Sequence, residues 1–156
     1  MTVRELLRPY PSSSNYSVFI FDTENNAQLK TDTFEMKRDD GLRIKWKNAN
    51  VVMWNVCDNE IVIAVDSKTL KESVTKEILI ADTNTMLSID FYGDFTESEM
   101  GNALTIIARE ILHQTIYYNN LAEYYWMYGY KSKCGYWVKK IELSNSWKNI
   151  KCEVEK

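Results

Sequence analysis

The run Val51, Val52, Met53, Trp54, Asn55, Val56, Cys57 is followed, after only Asp58 and Asn59, by Glu60, Ile61, Val62, Ile63, Ala64 and Val65. Two apolar, β-branched runs separated by two residues that tolerate positive φ close as a hairpin, so this segment commits the chain to antiparallel β-structure. The same pattern recurs along the sequence. Residues 16–21 read as a strand, Glu24, Asn25 and Asn26 as a turn, and residues 28–36 as a more polar returning strand. Residues 77–81, the turn Asp82, Thr83, Asn84, and residues 86–92 form another pair. Residues 136–143 and 149–154 form a closing hairpin around Ser144, Asn145 and Ser146. Arg43, Ile44, Lys45, Trp46 and Lys47 alternate with period two, which predicts one more strand after the charged loop 37–41.

Helix signals are distinct from these. Thr2 with Glu5 is a capping box, in which each side chain satisfies a free backbone amide, and it predicts a short helix from Val3 that Pro9 and Pro11 end. Thr96 with Glu99 repeats the box, with Phe95 and Met100 at the positions of a hydrophobic staple. Met100, Leu104, Ile107, Ile111 and Tyr118 then recur on one stripe, with Arg109 and His113 on the opposite side. Unbroken to Tyr128, this helix would be roughly 45–50 Å long, more than a domain of this size spans. A break is therefore expected at Asn119 and Asn120, with Asn120 and Glu123 capping a second helix that Gly129 ends. Residues 103–127 also carry Ile106, Leu112, Ile116, Tyr117, Leu121 and Tyr124 off the stripe, so the segment is either central to the fold or shared between the subunits of a homodimer. The expected architecture is a single α+β domain over residues 1–156: an antiparallel sheet built from consecutive hairpins, with a long, broken helix packed on one face.

Composition narrows the function classes. At 156 residues and 45% hydrophobic, the chain can bury an ordinary core, and its net charge of −3 argues against coating nucleic acid through bulk charge. Charged residues in the first ten positions leave no secretory signal, and no stretch is apolar enough to span a bilayer. Cys57, Cys134 and Cys152 are odd in number and have neither disulfide-framework nor zinc spacing, so reduced thiols in a cytoplasm are expected.

Catalytic constellations fail on geometry. Asp22 with Glu35, Met36 and Lys37 matches a metal-dependent nuclease pattern, in which two carboxylates hold magnesium and a lysine polarises the phosphate. With Asp22 beside a hairpin turn and Glu35 far along the returning strand, the two are some 25 Å apart at about 3.3 Å per residue. Asp58 with Asp66, Ser67 and Lys68 fails for the same reason. His113 follows Glu110 at the spacing of di-iron bundles, but those need a second such motif and two more glutamates. Cys57 and Cys152 read as core thiols, and the five glycines fit no phosphate-binding loop. No catalytic residue, metal site or cofactor is expected.

Two surfaces remain. Asp82, Asp90, Asp94, Glu97 and Glu99 form an acidic segment with no basic residue between Glu77 and Arg109, suited to a basic groove that normally holds nucleic acid. The same acids also suit turns and a helix N-terminus. Tyr128, Tyr130, Lys131, Lys133, Tyr136, Trp137, Lys139 and Lys140 form a basic, aromatic alternative of the kind that stacks single-stranded nucleic acid, unless those rings are needed for the core.

The opening Met1, Thr2, Val3, Arg4, Glu5, Leu6, Leu7, the strand ending in Phe21 and Asp22, and the block Val51, Val52, Met53, Trp54, Asn55, Val56 ahead of Ile61, Val62, Ile63 resemble small accessory proteins of phages and mobile elements of low-GC Gram-positive bacteria. The resemblance covers about the first sixty-six residues and carries no functional residue over. Among such proteins are the anti-CRISPR inhibitors, compact proteins with frequent acidic surfaces that usually lack enzymatic activity. The resemblance implies a non-enzymatic inhibitor that contacts a host defence protein, an RNA-guided CRISPR nuclease, directly. The acidic segment is the expected contact. A small single-stranded nucleic-acid-binding protein is the second reading and a metal-dependent nuclease the third.

Overall fold

A computed structural model describes residues 1–10, 17–23, 27–32, 43–117, 129–143 and 148–156. It is an α+β structure with two sheets, and the chain divides into two compact units, Met1–Lys71 and Glu72–Lys156.

The first unit contains α1 (Val3–Leu7), β1 (Ser17–Asp22), β2 (Ala27–Asp32), α2 (Ile44–Lys47), β3 (Val51–Cys57), β4 (Glu60–Val65) and a 3-10 turn at Ser67–Thr69. The capping box forms as the sequence predicts: the Thr2 amide donates to Glu5 Oε2 at 2.8 Å and the Glu5 amide to Thr2 Oγ1 at 3.3 Å. The sheet order is β2-β1-β4-β3, with both outer pairings antiparallel and the central β1–β4 pairing parallel. Val3, Leu6 and Leu7 of α1 pack with Trp46, Ala49, Val18, Ile20, Ile61, Ile63 and Val65 to form this unit's core. Each fully buried aliphatic side chain contributes about 1.5–3 kcal/mol.

The strand expected at residues 43–47 is instead the helical turn α2. Its bonds are local: the amides of Trp46 and Lys47 both donate to the Arg43 carbonyl at 3.1 Å. Alternation over five residues is equally satisfied by a single turn set in the core, where Ile44 and Trp46 are both buried. The Arg43 guanidinium lies 4.9 Å over the Trp46 ring and covers it.

The second unit contains β5 (Ser73–Ile80), β6 (Thr85–Tyr92), α3 (Glu97–Tyr117), β7 (Tyr130–Lys131), β8 (Trp137–Leu143) and β9 (Asn149–Glu155), with sheet order β5-β6-β9-β8-β7. Here too the β6–β9 pairing is parallel and the others are antiparallel. The expectation of one antiparallel sheet is thus corrected: there are two sheets, each with a parallel pair inside it. Parallel neighbours need a long connection, and the chain supplies one each time: β2, α2 and β3 lie between β1 and β4, while α3, β7 and β8 lie between β6 and β9.

Strand β5 begins earlier than its apolar residues suggest, because Ser73, Thr75 and Glu77 lie on an edge strand and face solvent. β7 has only two residues, too short for any periodicity to reveal. The second capping box forms, with the Thr96 amide donating to Glu99 Oε1 and the Glu99 amide to Thr96 Oγ1, both at 3.1 Å. The predicted stripe is buried at Met100, Leu104, Ile107 and Ile111, joined by Ala103 and Ala108, against Leu87, Ile89, Phe91, Val138, Ile150, Cys152 and Val154. Tyr118, the expected break at Asn119 and Asn120, and the second helix to Tyr128 lie outside the described residues. Among the described residues no helix is long and apolar enough to cross a membrane.

Gly129 enters β7 with φ +79°, and a Cβ there would sit 2.7 Å from the Val138 carbonyl oxygen and 2.9 Å from Trp137 Nε1. Gly135, at φ +95°, has open space around it. Gly135→Ala should therefore cost about 1–2 kcal/mol from backbone strain alone. Gly129→Ala should cost clearly more, because β8 must also move. Paired thermal or urea melts check the ranking.

Candidate interaction surfaces

The structure places some of the residues considered for catalysis. Asp22 is buried, and its proposed partners Glu35 and Lys37 lie outside the described residues, as does the His113 side chain. Asp58 occupies the β3–β4 turn with φ 53°. Asp66, at the far end of β4, caps the 3-10 turn by accepting from the Lys68 amide at 3.1 Å. Cys152 is a core thiol as expected, whereas Cys57, also expected in the core, is exposed because β3 is an edge strand. Cys134 Sγ donates to the Ser132 hydroxyl at 3.0 Å. Glu110 Oε1 accepts from the Lys133 amide at 2.8 Å and tethers the turn before β8 to α3. Among the described residues no group of three or more His, Cys, Asp or Glu could hold a metal ion.

On adjacent strands, register sets Asp90 beside Glu153 and Glu153 beside Lys139. The Thr75 hydroxyl donates to Asp90 Oδ1 at 2.6 Å. This row of two acids and a lysine is stocked for chemistry, but Glu153 is 0% exposed, so no substrate reaches it. A lysine at the neighbouring register position offsets part of the cost of burying the Glu153 carboxylate.

The acidic segment does not form one patch. Asp82 lies in the β5–β6 turn and Asp94 beyond the opposite end of β6, whose eight residues span roughly 26 Å at about 3.3 Å each. That exceeds the screening length of about 8 Å at physiological salt. Asp90 is held by Thr75, and Glu97 pairs with Lys76 at 2.8 Å. Glu99 accepts from Lys156 Nζ at 2.7 Å and from the Tyr136 hydroxyl at 3.4 Å. Lys156 Nζ also donates to the Asp94 carbonyl at 2.7 Å and lies 5.3 Å over the Phe95 ring. Phe95 stacks edge-on with Phe91 and Tyr136, at 5.1 and 5.2 Å. The acids that face solvent at the head of α3 are Asp94 and Glu97.

The aromatic and basic surface is likewise divided. Tyr130 and Tyr136 pack against the core and Lys139 is buried, leaving Lys131, Lys133 and Trp137 exposed. Burial, and then the adjacent Glu110 carboxylate, push the Tyr130 hydroxyl far above its ordinary range, which keeps it neutral. Tyr128 and the Lys140 side chain lie outside the described residues.

A further surface was read from sequence only as a hairpin strand. β3 has β4 on one side and is the edge of its sheet. Its Val52, Met53, Trp54 and Val56 are 60%, 66%, 49% and 38% exposed. Trp54 and Val56 stand opposite Ile63 and Ile61, while Met53 stands opposite Ala64, so large apolar side chains stand on both faces of the strand, with Asn55 beside Met53. The usable signal was seven residues with no charge and large side chains at both parities. That pattern suits a central strand equally well, so it could not locate the edge.

The chain matches no protein-family model, no curated protein and no solved structure.

The Glu99–Lys156 contact gives a pH signature. The Glu99 carboxyl is held down to about 2, first by the Lys156 hydrogen bond and then by the Thr96 amide and hydroxyl. A folded value below the unfolded one means that this stabilisation is full above the ordinary carboxylate range and fades as pH falls. Lys156 shifts upward, chiefly through the same bond, so its part is full below the ordinary lysine range and fades as pH rises through the raised value. Glu99→Gln should melt below wild type near neutrality, with the gap closing between about pH 4.5 and about pH 2. Melts across that range check it, and a constant gap would remove the charge from the account.

Proposed function

We propose that this protein acts by binding other proteins and performs no chemistry of its own. The observation that carries the reading is β3, an uncharged strand on a sheet edge that holds four large apolar side chains in solvent. Exposed edges of this kind are templates for association, which natural chains otherwise blunt with charge, proline or a covering element.

The partner class follows from the resemblance: a host defence nuclease of the RNA-guided type, engaged through its basic nucleic-acid groove. Asp94 and Glu97, exposed at the head of α3, are the acids suited to such a groove. Asp90 and Glu99 support the fold through Thr75, Thr96 and Lys156, and Asp82 is too distant to share the contact. A single-stranded nucleic-acid binder would depend on Lys131, Lys133 and Trp137 alone among the described candidates.

The test is capture of purified RNA-guided nuclease by the wild-type chain and by Asp94→Lys/Glu97→Lys. Wild type should bind stoichiometrically, and the variant about tenfold more weakly at low salt, with a flatter salt dependence. Equal affinity would remove these acids from the contact. No capture by wild type, together with a gel shift of single-stranded DNA, would replace this reading with the nucleic-acid one.

A further inference from the structure

We infer that the Lys156 ammonium is a clip that holds the β6–α3 turn and the first turn of α3 closed, and that its release opens this segment alone. The inference goes beyond the binding reading and does not depend on it.

The clip is one side chain that follows the turn along its length. Lys156 comes directly after β9, and its amide donates to the Tyr92 carbonyl at 3.1 Å, which carries the β6–β9 pairing one bond further. Gly93 follows with φ +111°, and a Cβ there would stand 3.3 Å from the Lys156 Cβ. Glycine therefore both makes the bend and leaves room for the lysine stem to cross it. At the far end the ammonium donates to the Asp94 carbonyl and to Glu99 Oε2, both at 2.7 Å, and lies 5.3 Å over the Phe95 ring. A single cation thus touches residues on both sides of the point where the chain passes from turn to helix.

The contact reaches the helix cap through Glu99. Its Oε1 accepts from the Thr96 amide at 3.1 Å, while its Oε2 accepts from Lys156 and, at 3.4 Å, from the Tyr136 hydroxyl. A carboxylate fixed at one oxygen by a charged donor cannot swing freely, so Lys156 keeps the other oxygen on the Thr96 amide. Remove the ammonium, and half of the capping box is free to exchange with water. The Lys156 and Glu99 side chains are 40% and 33% exposed, so water can replace either partner and the opening is a local equilibrium. It stops at the first turn, because Met100 and Ala103 are buried in the core. The β6–β9 pairing, from Met86 with Asn149 to Tyr92 with Glu155, is made by the backbone and does not involve the clip.

Amide hydrogen exchange of the full chain, read residue by residue at one pH near neutrality, tests the clip with Lys156→Met, which keeps the stem and removes the charge. The Phe95, Thr96 and Glu99 amides should exchange about fivefold faster than in wild type. The Lys133 and Gly135 amides, bonded to Glu110 and to the Ser132 carbonyl, open without disturbing the clip and should be unchanged. Unchanged exchange at residues 95–99 overturns the clip, and equal acceleration at Lys133 and Gly135 overturns it as a local device. Glu99→Gln keeps an oxygen for the Thr96 amide but removes the charge, so it should accelerate the same amides. Lys156→Met should then have a smaller effect in that background than in wild type, and fully additive effects overturn the coupling through Glu99. In Lys156→Met the Glu99 carboxyl, followed by carbon NMR, should titrate above its wild-type value of about 2, and an unmoved titration overturns the contact itself.

Discussion

Both sheets are organised around a parallel pair of strands, β1 with β4 and β6 with β9, each with an apolar row in the core. Strands that are apolar on both faces are most stable in the middle of a sheet, and parallel neighbours cannot be joined by a tight turn. Each pair therefore requires a long excursion of the chain between its members, and the hairpin partners of the central strands are pushed outward. β2 and β3 become the edges of one sheet, and β5 becomes an edge of the other. For β5, Ser73, Thr75 and Glu77 meet solvent there, alongside the exposed Val74 and Leu79. For β3, the exposed Trp54 and Met53 are the direct result of the central pairing.

Local chemistry was legible in the sequence wherever one hydrogen-bonding pattern had no competitor. The two capping boxes, the α3 stripe from Met100 to Ile111 and the β3–β4 hairpin all depend on residues within a few positions of each other. What could not be read was any decision taken between distant segments. Nothing in the segment containing Val18 and Ile20 reveals that its neighbour is β4 in parallel, and nothing in residues 51–57 says which strand of the hairpin will lie inside. The α2 turn belongs to the same class, since Ile44 and Trp46 alternate as a strand would and only the surrounding core selects the helical form.

The candidate surfaces show a related limit. A cluster of like charges in sequence is a statement about composition, whereas a potential in solution depends on what each charge already touches. Glu99 is spoken for by Thr96, Lys156 and Tyr136 and Asp90 by Thr75, whereas Glu97 pairs with Lys76 and still faces solvent. Their partners come from positions as far away as Lys156, so counting acids between Glu77 and Arg109 overstated the field they project. The tyrosines follow the same logic, with Tyr130 and Tyr136 claimed by the core next to α3.

The position of β9 has a bearing on how the chain is made. Every strand of the first sheet lies within residues 1–71, so that unit can close as soon as those residues have left the ribosome. The second sheet has no such freedom, because its middle member is also its latest in synthesis order. Until residues 149–155 emerge, β6 holds only β5, β8 holds only β7, and the apolar stripe of α3 lacks Ile150, Cys152 and Val154 beneath it. A nascent chain halted before Asn149 would therefore present one finished unit and one with two open strand edges, the state most exposed to chaperones and proteases.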